Sequence, residues 1–363
     1  MRILRIYLRV PPAKGGMENH ILQLTNQQRE LGINVVLAFN EGKKTIEDDI
    51  QILKKHKLNT KYSTLFSIFI FYFFLIITLI KNSRKYDLIH IHGDWSSFIF
   101  APIIKKLTRA DVINFSMHGT TKSHSSWQKL FLKYSLRPAD IVFSTGFENH
   151  EWLKPYCKKA VFQPSGVSDF FFNLTNLKFE NKKSFRIITV GNLFPVKNTK
   201  MIIQIAAKLP EIEFVIIGDG PEYISLQGLT SSLNCRNVVF KGHLSKEEIK
   251  TEFLKSSLFL FSSILEGTPT VIMEAMTCGL PIITSNAGKV ESIISNGVNG
   301  FVIQNYDIEN YVEKILVLQN DVELCKIISY NNRGKSIQFS WDKAASLITN
   351  YQIACLNLKK QNY

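Results

Sequence analysis

Residues 262–291 read SSILEGTPTVIMEAMTCGLPIITSNAGKVE. Leu258 to Phe261, just before them, form an apolar run of the right length for a buried strand. Glu266 falls where that strand should end. Pro269 suits the first turn of a helix, because that position needs no N–H donor. Gly279 suits the helix stop and Pro281 forbids continuation. PIITS then reads as the next buried strand. Strand, acidic loop, helix, strand is the repeating unit of a parallel sheet.

Two carboxylates bracket the start of that helix, Glu266 on the loop and Glu274 on the helix. In parallel sheets, ligands bind beyond the carboxyl ends of the strands. A carboxylate accepts two hydrogen bonds and so grips vicinal sugar hydroxyls. Backbone N–H groups at the helix start favour an anion alongside. For an isolated pair the alternative is two solvated glutamates on a helix face.

The wider pattern weighs against that alternative. Glu266-Gly267, seven intervening residues, then Glu274-Ala275-Met276, with Gly279, Pro281, Gly288 and Glu291 downstream, resembles the signature of retaining glycosyltransferases of the GT-B fold, family 4. The resemblance extends over nearly the whole chain. It implies two Rossmann-like, doubly wound parallel-sheet domains facing across a cleft.

Size and composition are compatible with that plan. A chain of 363 residues can hold two domains, each with its own core. A formal net charge of +14 suggests an anionic partner: nucleic acid, an acidic membrane surface or a phosphorylated substrate. Neither zinc-finger spacing nor an RNA-binding aromatic motif is present, so nucleic acid ranks last. The five cysteines are scattered, without a Cys-x-x-Cys pair, which fits a reducing compartment rather than a disulfide or zinc scaffold. Arg5 and Arg9 interrupt the apolar N-terminus, so it reads as a first strand rather than a signal peptide.

In the first domain, expected over 1–170, Ile3 to Leu8 is a predicted strand. Gly15-Gly16 turns the chain into a helix from about Met17 to Leu31, ended by Gly32. A glycine pair opening a helix leaves N–H groups bare for a phosphate or a sugar oxygen. The resemblance puts Gly15 and Gly16 near acceptor and sugar. Asn34–Phe39, Asp87–Gly93, Val112–Gly119, Asp140–Gly146 and Ala160–Gly166 are further predicted strands. His118 ends the third of these five, where the resemblance implies contact with the transferred sugar. His90 and His92 alternate along the preceding strand. Only one of the two is expected to share a face with the cleft, and both read as structural.

Thr64 to Ile80, TLFSIFIFYFFLIITLI, carries no charge, and Lys81, Arg84 and Lys85 follow. It is shorter than the roughly 20 residues of a comfortable membrane span. It can cover the sheet, lie in a bilayer surface or span one, and spanning would split a continuous domain. A helix apolar all round is buried on all sides. The expectation is that it packs on the sheet and turns its remaining aromatic face to lipid, making residues 64–85 a peripheral membrane contact.

Residues 171–183 read as a linker, 184–340 as the second domain, and 341–363, from Trp341, as a helix crossing back to the first. Arg186–Gly191 opens the second sheet. The resemblance places an arginine and a lysine after it, gripping the donor diphosphate. Lys197 matches the lysine. Asn192 stands in the arginine's place and supplies no charge. Phe214–Gly220, FVIIGDG, leads into Pro221-Glu222, unlike a dinucleotide fingerprint. Asp219 has no Asp-x-Asp arrangement, so no metal bridge to the diphosphate, and no cofactor, is expected.

What the resemblance implies is a glycosyltransferase that retains anomeric configuration. Gly16, Asn192, Lys197, Gly267, Thr268, Thr270 and Glu274 would contact the donor, a UDP- or GDP-sugar. Lys197, Glu266 and His118 would serve the chemistry. The acceptor would be a glycan, with a lipid-linked one favoured by the charge and the Phe-rich helix, at the inner face of a bacterial cell membrane. Two other classes stay open: a nucleotide-sugar epimerase of the same plan, and a non-catalytic partner of another transferase.

Overall fold

The computed structural model describes residues 1–12, 16–53, 64–82, 84–118, 124–173 and 184–361. The chain divides into two compact units, Met1–Gly166 with Trp341–Tyr363, and Val167–Ser340.

The first unit is built on a seven-stranded parallel sheet: β1 Arg2–Ile6, β2 Asn34–Phe39, β3 Ile50–Gln51, β4 Leu88–Gly93, β5 Val112–Met117, β6 Ile141–Ser144 and β7 Ala160–Phe162. Their order across the sheet is β3-β2-β1-β4-β5-β6-β7. The order reverses direction after β1, the topological switch that creates a crevice at the strand ends.

Side chains alternate across a strand, and both faces of this sheet are covered. Leu4, Ile6, Ile89, Ile91, Ile113 and Phe115 point to one face and join one core cluster. Along the same strands Ile3, Leu88 and Val112 point the other way, with Leu356 of the C-terminal helix, Trp341–Gln361. Arg5, His90, His92, Asn114 and Ser116 occupy this second face too, and all are buried. His90 and His92 therefore share a face, since residues two apart on a strand always do. The expectation that only one of them shares a face with the cleft misread the alternation; their ring centroids are 4.3 Å apart.

The Phe-rich segment is a helix, Thr64–Lys81. Phe71, Leu75 and Leu79, spaced by four, are buried with Tyr72 in the first core cluster. The Tyr72 ring stacks on Phe100 at 4.4 Å between centroids. Phe66, Phe69, Phe73 and Phe74 remain exposed. Packing thus divides a helix that is apolar all round into a sheet face and an exposed face. Among the described residues no helix is long and apolar enough to cross a membrane.

The second unit holds a six-stranded parallel sheet: β8 Arg186–Val190, β9 Glu213–Ile217, β10 Val238–Phe240, β11 Leu258–Phe261, β12 Ile282–Ser285 and β13 Phe301–Ile303, in the order β10-β9-β8-β11-β12-β13. Where the sequence reads as a linker from residue 171, Asp169–Phe172 is helical and Phe171 is buried in this unit's core. Lys250 Nζ ties the turn down by donating to the carbonyls of Phe170 and Asn173. The rest of the expected linker, 174–183, lies outside the described residues.

The C-terminal helix belongs to the first unit. Trp341 is buried, and Gly166 makes room for it: a Cβ there would lie 2.5 Å from its indole. Gln28 of the first helix, Gly16–Glu30, donates to Thr349 at 2.7 Å and to Gln352 at 2.9 Å. Replacing Trp341 by Ala should cost about 3–5 kcal/mol. The check is chemical denaturation followed by a probe in the first unit, whose midpoint should fall while that of the second stays put.

Candidate functional site

In the second unit the site is made by loops that leave β8, β9, β11 and β12. The β8 and β9 loops meet backbone to backbone. Leu193 N–H donates to the Asp219 carbonyl at 2.9 Å, and Gly191 N–H to that of Ile217 at 3.0 Å. Gly218 has φ +143°, and a Cβ on it would fall 1.9 Å from the Gly191 carbonyl oxygen. Only glycine allows that conformation and that approach.

The turn after β8, Pro195–Lys197, is held by β11. Ser262 Oγ donates to the carbonyls of Lys197 and Asn198, both at 3.0 Å, and Ser263 Oγ to that of Val196 at 3.0 Å. This fixes the backbone under Lys197, whose Nζ donates to Glu266 Oε1 in a half-buried ion pair. The two residues expected to serve diphosphate and sugar separately are thus bound to each other. The Glu266–Gly267 loop is seated on Gly288, where φ is +65° and a Cβ would lie 2.9 Å from the Gly267 carbonyl oxygen.

The helix that follows spans Thr270–Thr277, with Pro269 at its N-cap rather than in its first turn. It ends at Gly279, φ +76°, with Leu280 N–H donating to the Ala275 carbonyl and Gly279 N–H to that of Met276. That is a Schellman stop. Glu274 sits in the second turn. Burial pushes its carboxyl up to about 7, partly offset by the Lys246 ammonium. Asn192 and Thr270 are exposed, and Gly267 and Thr268 half-buried.

In the first unit His118 follows β5 and continues the polar face of that strand. Its Nε2 lies 3.1 Å from His92 Nδ1. His20, on the first helix, brings its ring centroid to 4.7 Å from that of His118, and its Nδ1 to 2.8 Å from Ser165 Oγ. Trp341 meets the His20 ring edge-on at 5.1 Å. Burial, above all, keeps these imidazoles neutral: His118 is pushed down to about 4, and His20, His90 and His92 well below their usual range. The Arg5 guanidinium adds to the effect on His20, His90 and His92. It is itself lowered to about 9 by burial and donates to Thr25 and Gln28.

His118 lines a cavity of ≈ 390 Å³ with Tyr7, Arg9, Ser67, Tyr72 and Asp94 among its walls. Arg9 forms an ion pair with Glu18 at 3.2 Å. Gly16 opens the first helix, and among the described residues a Cβ on it would meet nothing within 4 Å. Gly15 lies outside the described residues.

The structure therefore gathers Lys197, Glu266 and Gly267 in the second unit, with Glu274 on the helix that leaves that loop. His118 lies in the first, with His92, which was read as structural, and His20, which was not singled out. The His-x-His spacing on a strand was the available signal, because alternation puts both rings on one face.

Two Rossmann-like parallel sheets of this topology define the GT-B class. The chain matches the family model "Glycosyl transferases group 1" over residues 174–335 and "Glycosyltransferase Family 4" over 14–158. It carries the two domains of these glycosyltransferase families. It is 24% identical to the phosphatidylinositol N-acetylglucosaminyltransferase GPI3 subunit of Saccharomyces cerevisiae, over 81% of this chain and 70% of that one. It is 27% identical to the UDP-Gal:alpha-D-GlcNAc-diphosphoundecaprenol alpha-1,3-galactosyltransferase of Escherichia coli, over 72% and 74%. Sucrose-phosphate synthase of Thermosynechococcus elongatus has the same fold, with a TM-score of 0.80 at 17% identity, covering 98% of this chain and 99% of that one.

The raised Glu274 carboxyl makes a stability prediction. In the folded protein it holds its proton to about pH 7, whereas the unfolded group releases it near 4.5. The favourable contribution is full below pH 4.5 and is lost as the pH rises through 7. Glu274→Gln removes the penalty, so it should stabilise the protein above pH 7, by at most about 3 kcal/mol. The gain should vanish toward pH 5. Melting curves of parent and variant between pH 5 and 8.5 check both parts.

Proposed function

We propose that the chain transfers a hexose or N-acetylhexosamine from a UDP- or GDP-sugar to a lipid-linked glycan, with retention of configuration and without a metal. The observation that carries the reading is the Lys197–Glu266 ion pair at the ends of β8 and β11, with Glu274 on the helix that follows. An incoming diphosphate competes with Glu266 for the Lys197 ammonium. Once exchanged, Lys197 neutralises charge on the leaving diphosphate, the main demand when a glycosidic C–O bond ionises. Glu266, released, accepts from sugar hydroxyls, and Glu274 from the ribose. Gly267, Thr268 and Thr270 line the same loop and helix start, where backbone N–H groups face an anion.

His118, neutral and facing the cavity, suits contact with an uncharged sugar better than a cation would. Glycines 15 and 16 and the cavity walls would take the acceptor. In a front-face route the diphosphate oxygen accepts the acceptor's proton, so no protein base is needed. The E. coli relative, whose name specifies a UDP-sugar and a diphosphoundecaprenol acceptor, supports both substrate classes.

The exposed Phe66, Phe69, Phe73 and Phe74 support peripheral membrane contact. So do Trp127 and Phe131, exposed on the Ser126–Leu136 helix, which also carries Lys129 and Lys133. Aromatic faces bordered by cations suit an anionic lipid surface, consistent with surface-polysaccharide assembly at the inner face of a membrane. Phe71 is core and takes no part. Replacing Phe66, Phe69 and Phe73 by Ser should weaken sedimentation with anionic vesicles at least severalfold. Unchanged sedimentation would sink the membrane reading.

Asn192 favours a second reading, a non-catalytic partner: it is exposed and brings no charge where the resemblance calls for arginine. A panel of nucleotide-sugars in thermal-shift assays decides. A donor that raises the melting temperature does so by mass action. One sugar nucleotide should give a shift that Glu274→Ala abolishes, and Asn192→Arg should enlarge it. No shift with any donor would favour the partner reading. Product analysis with and without acceptor separates transfer from epimerisation.

A further inference from the structure

The histidine cluster of the first unit holds more ligating groups than sugar contact requires. One nitrogen from each of His20, His92 and His118 can be chosen so that all three lie within 4.8 Å of one another. We propose that these three side chains form a binding site for a transition-metal cation, zinc above all, and that the cation competes with the sugar for His118.

The donor set selects the metal. Three imidazoles suit zinc, copper or nickel, whereas magnesium and calcium take oxygen ligands. Zinc–nitrogen bonds of about 2.0–2.1 Å in a tetrahedral site put two ligand atoms about 3.4 Å apart. His92 Nδ1 and His118 Nε2, at 3.1 Å, already have that separation. The third ring has to approach by roughly an ångström to close the set.

The surroundings orient the rings. A proton on His20 Nδ1, donated to Ser165 Oγ at 2.8 Å, leaves Nε2 with its lone pair. A metal-binding histidine is commonly held this way by a partner on its other nitrogen. His90, by contrast, is engaged on both sides, by Ser116 at 2.7 Å and Gln352 at 3.4 Å, and stands outside the set. The cavity lined by His118, Tyr7 and Asp94 supplies the way in.

A cation held by His118 removes that ring from the sugar. Given the transferase reading, zinc is then an inhibitor and transfer itself needs no metal. The metal site and the transferase reading fail separately, because binding is read by spectroscopy and inhibition by turnover.

The experiment titrates the full chain with Co²⁺ and then adds Zn²⁺. One equivalent of Co²⁺ should produce visible absorption of a low-coordinate nitrogen site, bleached by Zn²⁺. His92→Gln and His20→Gln should abolish the band while circular dichroism stays unchanged. Ser165→Ala, which removes only the orienting hydroxyl, should weaken Co²⁺ binding by roughly 10- to 100-fold. It decides the matter if a histidine variant does not fold. Where turnover is measured, Zn²⁺ should inhibit the parent and a chelator should restore it. No band, or a band that survives all three substitutions, overturns the proposal.

Discussion

Burial on both faces of a parallel sheet is the constraint on which the first unit depends. Strand side chains alternate, so β4 and β5 must send one set of residues to each side. Ile89, Ile91, Ile113 and Phe115 meet one helical layer. His90, His92, Asn114 and Ser116 meet the other and are equally buried. Polar groups so placed need partners, and the first and C-terminal helices supply some of them. Gln28 and Gln352 form a chain from Arg5 to His90, and Ser165 holds His20. The histidines at the strand ends are therefore positioned by the layer beneath them, and their neutrality follows from the same burial.

In the second unit the equivalent role falls to backbone contact between loops. Glycines at 218 and 220 let the β9 loop lie directly against the β8 loop, and serines at 262 and 263 bind the turn that carries Lys197. They leave Lys197 and Glu266 adjacent with opposite charges, so the pair forms. Both side chains of the pair keep part of their surface exposed.

The Phe-rich helix is the case where composition said least. Its residues are apolar on every side, so no periodicity marks a buried face. The sheet chose one, through Phe71, Tyr72, Leu75 and Leu79, and left four phenylalanines in the open.

Much of this was legible in the chain itself. Strands were legible because buried parallel strands are uninterrupted apolar runs, and the Thr270–Thr277 helix because proline and glycine punctuate it. The paired glutamates and Lys197 were legible as a motif, since local spacing sets which loop carries each. The order of the strands, the Lys197–Glu266 pairing and the meeting of His20 with His92 and His118 were not. Each joins residues far apart in the chain, and no local spacing records which distant loops share a strand end. Amino-acid order determined the elements and their chemistry; the packing of helices on sheets decided which of those groups are neutral, which are paired and which are left facing solvent.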